Sequence, residues 1–214
     1  MEGQGDFEGA HVLATSALDC FSEKGEPRGE LSAFRALVGQ AAFALGDDAE
    51  ALEWFQRLAS GSEKVFPYGP IYADLGLGEL KRQVGDEEAI LHYEAAGRRC
   101  RDLGGRVEYG YSLLGLAEAA RDSGEAIHAA SRAIEAEQIG EVTGHPWLRL
   151  YATLVRAACD IEGRGGECLS TADRVNGLFR RRTSDRNLER VAIGEVGRCM
   201  SEGVPMPAFR FNYL

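Results

Sequence analysis

The chain has 214 residues, 44% of them hydrophobic, enough for a sizeable core, and its five cysteines lack the paired spacing of a disulfide framework or metal knuckle. Its formal charge of -10 is uneven: residues 1–140 hold 13 Lys+Arg against 25 Asp+Glu, and residues 141–214 hold 11 against 9. So acidic a body repels phosphate backbones and excludes a nucleic-acid partner, while the want of an apolar run of about 18 residues and an acidic start exclude a membrane partner and predict a cytoplasmic protein.

The first predicted element is an amphipathic helix over Asp6 to Glu23, with Val12, Leu13, Leu18 and Phe21 on its apolar side. It reads as an orphan second helix, with Ala10 placed a little more than one repeat before Ala51. A chain that begins in mid-hairpin suggests a piece of a longer protein. Next come three copies of one pattern. The first is Leu37-Val38-Gly39, then Gly46-Asp47-Asp48, then Ala51, Phe55 and Leu58. The second is Leu77-Gly78, then Gly85-Asp86-Glu87-Glu88-Ala89, then Tyr93 and Ala96. The third is Leu114-Gly115, then Ser123-Gly124-Glu125-Ala126, then Ala130 and Ala133. Gly39, Gly78 and Gly115 recur at intervals of about 37–39 residues, and Ala51, Ala89 and Ala126 keep the same period, which marks a repeat architecture.

Each copy makes sense as a helical hairpin. A first helix carries a Gly where its backbone lies close to a neighbour. A Gly-Asp or Ser-Gly pair then ends it, and a second helix starts on acidic residues that suit its dipole. A fourth hairpin is predicted from Pro146 to Arg182, turning at Gly163-Arg164-Gly165-Gly166, followed by a capping helix at about Asp185 to Met200. The tail, 204–214, is expected to be extended, with Phe209, Phe211 and Tyr213 on one side. It is expected to dock, either on its own last helices or in a second copy as a homodimer contact.

These three copies resemble the tetratricopeptide repeat family, with Leu-Gly in the first helix, a Gly-Asp turn, then Ala, an aromatic and Ala in the second. The resemblance is good over roughly residues 30–135 and looser elsewhere. It departs in repeat length, about 37–39 residues rather than the usual 34, and in lacking the regular Pro between repeats. Longer repeats of this kind look like the superhelical domains of bacterial signalling proteins and regulators. The resemblance implies an all-α fold, an α-solenoid of antiparallel helical hairpins forming one domain over 1–203, with the tail beyond it.

Candidates for chemistry are few. His11, His92, His128 and His145 have no metal spacing, and no nucleophile elbow or phosphate loop is present. Gly76-Leu77-Gly78 lies inside a helical pattern with no preceding strand, which excludes a dinucleotide fingerprint. Asp47-Asp48 and Asp86-Glu87-Glu88 are explained by capping and the helix dipole, and Cys159 and Cys168 by packing. Arg180-Arg181-Arg182, with Arg186 and Arg190, is either an anion patch or a solvated helix end. No catalytic residue, metal ligand or cofactor is therefore assigned, and the chain is not expected to be an enzyme.

In stacked hairpins the first helices line the concave face, the usual binding surface. Outward-facing positions there are predicted to be Gln40, Tyr72, Glu79, Arg82, Tyr109, Ser112, Arg149, Thr153 and Arg156, with Phe43 and Leu116 beside them. Tyr and Arg are over-represented at interface hot spots. Tyr72 and Tyr109 have a second reading, as fillers of gaps between repeats. The predicted function is an interaction module for a protein or peptide. Two alternatives stay open: a regulatory repeat segment of a larger signalling or transcription-regulating protein, and an accessory subunit of a modifying enzyme.

Overall fold

The structure, a computed structural model, describes residues 7–24, 28–60 and 66–164. These form eight helices: α1 (Phe7–Lys24), α2 (Arg28–Leu45), α3 (Asp48–Ala59), α4 (Gly69–Gln83), α5 (Glu88–Leu103), α6 (Arg106–Asp122), α7 (Ala126–Thr143) and α8 (Pro146–Arg164). The all-α class holds for the described residues, none of which is in a strand. The second half of the fourth hairpin, the capping helix, the Arg180–Arg182 run and the tail with Phe209, Phe211 and Tyr213 lie outside them. Helices adjacent in sequence pack together: α1 on α2, α2 on α3, α3 on α4, α4 on α5, and α7 on α8, while α2 also reaches α4. The described residues fall into two compact units, one up to Gly115 and one from Leu116 onward, so the division falls within α6.

One turn is used three times. Gly46, Gly85 and Gly124, evenly spaced along the chain, have φ of 86°, 72° and 77°. At Gly85 this left-handed backbone reverses the chain after α4, a conformation that costs a residue with Cβ about 1 kcal/mol or more. The next N–H then bonds five residues back in every copy, Asp47 to Ala42 O at 2.9 Å, Asp86 to Lys81 O at 3.0 Å and Glu125 to Ala120 O at 2.8 Å. Asp47 caps α3 by accepting the Glu50 N–H at 3.0 Å, and Asp86, just ahead of α5, accepts the Glu88 N–H at 2.9 Å.

In the first unit the core is built from rings held between glycines. Phe55 of α3 is 1% exposed and Tyr93 of α5 fully buried. A Cβ on Gly39 would stand 3.0 Å from Phe55, and one on Gly76 only 2.4 Å from the same ring; for Tyr93 the pair is Gly78 at 2.7 Å and Gly115 at 2.2 Å. Each ring thus wedges between a glycine of its own hairpin and one of the next first helix. Gly39 and Gly78 share one role, Gly76 and Gly115 the other, and the spacing is the same within each role. Helix α4 is enclosed by this stacking: Ile71, Ala73 and every residue from Leu75 to Glu79 are buried, which fits a helix packed against α2, α3 and α5.

In the second unit the ring is gone. Helix α7 buries Ala129, Ala133, Ala136 and Gly140, and a Cβ on Gly140 would meet the backbone N of Arg149 at 2.7 Å. Backbone approach replaces the aromatic wedge. The pattern Ala126, Ala130, Ala133 expected for the third copy is therefore out of register: Ala126 and Ala130 are half-buried, and Ala129 takes the place of Ala51 and Ala89.

Candidate functional site

Helical direction was legible for the nine candidate positions, but their outward orientation was not. Gln40 is 4% exposed, Glu79 and Ser112 are fully buried, and Arg82 and Thr153 are buried as well. These five face inward, which corrects the expectation of an outward-facing row. Tyr72, Tyr109, Arg149 and Arg156 are half-buried.

The inward group carries polar structure. Arg82 Nη2 donates to Glu79 Oε2 at 3.0 Å, and the Tyr93 hydroxyl donates to Glu79 Oε1 at 2.8 Å. Burial, then the Glu79 carboxylate, push the Tyr93 phenol well above its ordinary pKa, so it stays a donor. The same Glu-x-x-Arg pair recurs one repeat further on, where Arg121 Nη2 donates to Glu118 Oε2 at 2.8 Å. The equivalent of Glu79 in the first hairpin is Gln40, with Phe43 for Arg82 and Phe55 for Tyr93. Neither amide atom of Gln40 has a partner among the described residues.

The half-buried group is pinned at its edges. The Tyr72 hydroxyl donates to Glu108 Oε1 at 3.1 Å, and its pKa is raised by burial first and by Glu108 second. The Arg101 guanidinium stands 5.5 Å from the Tyr109 ring centroid, and the Ser112 hydroxyl donates to Tyr109 O at 2.8 Å. Beneath lies the Cys100 thiol, pushed up to about 12 by burial and then by Glu108, hence neutral and unreactive at physiological pH. In the second unit Arg156 pairs with Glu137, and the Thr153 hydroxyl lies 2.9 Å from Arg149 O and 3.3 Å from Glu137 Oε1.

Sequence reasoning missed Phe66, Tyr68 and Glu108, which join Tyr72, and the α4–α5 bridge in which Asp74 takes His92 Nδ1 at 3.1 Å and Arg99 Nε at 3.3 Å. His92 is thus a pairing residue, whereas His128 is exposed. The recurrence of Glu and Arg at equivalent places in successive repeats was a readable sign of the buried pairs. Among the described residues no group of three or more His, Cys, Asp or Glu is placed to hold a metal ion, and no helix is long and apolar enough to cross a membrane. Protein-family models, curated proteins and solved structures contain no match to this chain.

Proposed function

We propose that the chain is a protein- or peptide-binding module of tetratricopeptide-like helical hairpins, whose half-buried tyrosine and arginine side chains on first helices contact the partner. The observation that carries this reading is the fixing of Tyr72 and Tyr109: each is anchored at an edge by Glu108 or Arg101 while part of it stays exposed to solvent. Aromatic area held in place binds with little loss of side-chain freedom. The evenly repeated left-handed turn at Gly46, Gly85 and Gly124 supports the repeat assignment.

The test is capture of partners from native lysate on the tagged chain, with mass spectrometry and measured affinities for whatever is retained. Tyr109→Ala and Arg149→Ala, made separately, are expected to weaken a retained partner by about 1–2 kcal/mol or more at a hot spot, with helicity unchanged. Equal retention by both variants would remove these side chains from the binding surface.

A further inference from the structure

The aromatic side chains at the start of α4 differ from the other half-buried rings in what covers them. The Arg57 guanidinium lies 4.8 Å from the centroid of Trp54, and that of Arg101 lies 5.5 Å from Tyr109. The chain's own cations therefore occupy those two faces. Phe66, Tyr68 and Tyr72 form a third aromatic surface, with ring centroids 6.2 Å apart for Phe66 and Tyr72 and 6.5 Å for Tyr68 and Tyr72, and no cation of the described residues lies over it. Its inner side is fixed, because Phe66 and Tyr72 pack on Ala36, Leu58 and Ala73.

A carboxylate stands at its edge. Glu108 uses Oε1 for the Tyr72 hydroxyl, leaving Oε2 without a hydrogen-bond partner among the described residues. A Cβ placed on Gly105 would lie 3.1 Å from Glu108 Oε2, 3.1 Å from Tyr68 Cε1 and 3.7 Å from the Tyr68 hydroxyl. Gly105 has no positive φ, so the backbone does not require glycine there. Gly105 is itself buried, and the carboxylate and the ring both pack directly against it, so a side chain there would push one of them out of place.

We propose that Phe66, Tyr68, Tyr72 and Glu108 form a receptor for a cationic side chain, an arginine or lysine presented by a partner protein segment. Ring faces attract a cation within about 6 Å of their centroids, and the Glu108 carboxylate supplies the countercharge. Charge agrees with this occupant: residues 1–140 carry 25 acidic against 13 basic side chains, a field that draws in basic segments. The receptor deepens the interaction-module reading and rests on it.

The experiment is an amide-resolved NMR titration of the full chain with the peptide acetyl-Gly-Arg-Gly-amide and its neutral citrulline counterpart. Saturable shifts over residues 105–109 are expected with the arginine peptide, weakened about tenfold by citrulline, by Glu108→Gln and by Tyr68→Leu. Tyr68→Leu leaves the Glu108–Tyr72 hydrogen bond in place, and unchanged shifts elsewhere report that the fold is intact. Absent shifts, equal binding of citrulline, or indifference to Glu108→Gln would overturn the receptor. The wider reading is separable: a lysate partner lost on Tyr109→Ala would stand even if no arginine peptide bound.

Discussion

The hairpins α2–α3 and α4–α5 solve the same packing problem with different chemistry. Both insert one ring from the second helix between two glycines, Phe55 between Gly39 and Gly76, Tyr93 between Gly78 and Gly115. In α4–α5 the ring also carries a hydroxyl that joins a buried Glu79–Arg82 pair, while in α2–α3 the equivalent residues are Phe55, Gln40 and Phe43 and the Gln40 amide is left over. The steric fit is the common element. The polar network is an addition that ties α4 to α5, and the first hairpin keeps one polar remnant without a hydrogen-bond partner among the described residues.

The largest effect that bears on this comparison is expected from Glu79→Ala. The Glu79 and Arg82 side chains are 0% and 4% exposed, so solvent screens their pairing little. Truncating the acid removes the carboxylate from both the guanidinium and the Tyr93 phenol, and losing one partner of a buried pair costs about 3–5 kcal/mol. Urea unfolding should show that loss at constant m-value. A loss below about 1 kcal/mol would mean that the ring-between-glycines fit alone holds α4 on α5 and that the network is incidental.

This contrast also explains what was readable beforehand. Turn chemistry is local, so Gly46-Asp47 and Gly85-Asp86 announced helix ends and caps that the backbone bears out. Side-chain direction depends on the number of neighbours a helix has, which is not local. A first helix covered on one side only would have turned Glu79 and Arg82 outward, but α4 packs against α2, α3 and α5, and both face inward. The glycine marker blended two roles: Gly39 and Gly78 touch the ring of their own hairpin, Gly115 that of the preceding one, which is why the apparent period shortened at the third copy. In α7 the sequence offers alanines in nearly every register, so nothing local distinguished Ala126 and Ala130 from the buried Ala129 and Ala133. The aromatic surface went unseen because Phe66 and Tyr68 precede α4, outside the repeat pattern that directed attention to helix faces.

A smaller effect, of opposite sign, is expected in the first hairpin. Gln40→Met keeps the length and approximate shape of the side chain while removing both unpaired amide atoms. Burying an amide without partners costs about 1–3 kcal/mol, whereas a near-isosteric apolar group restores packing, so the variant should be more stable by about 1 kcal/mol. Thermal and urea unfolding of the single variant provide the measurement. Equal or lower stability would show that the amide is satisfied in solution and that the two hairpins differ less than their protein contacts suggest.

The smallest expected effect lies at the turns, where the two hairpins differ by one ion cluster. Asp47 and Asp86 both accept a backbone N–H at the start of the following helix, but Asp86 also takes Lys81 Nζ at 2.8 Å, and Lys81 lies 2.6 Å from Glu88. Pairing with Lys81, followed by the Glu88 N–H, holds the Asp86 carboxyl below its ordinary value. Because the folded pKa is the depressed one, the unfolded chain binds the proton first as pH falls. The stabilisation is therefore complete above the ordinary Asp value of about 3.9 and fades as pH drops through the folded value. The Asn side-chain oxygen can accept the same Glu88 N–H, so Asp86→Asn removes the charge and keeps that bond. The difference in Tm between the parent chain and Asp86→Asn should be small, constant from pH 7 to about 5, and vanish in the acid limb. It should also shrink in about 1 M salt, where exposed charges are screened over roughly 3 Å. Asp47→Asn, with no lysine beside it, should lack that salt dependence. If the two variants behaved alike, the extra ion cluster would contribute nothing, and the turns of the two hairpins would be equivalent in energy as they already are in backbone form.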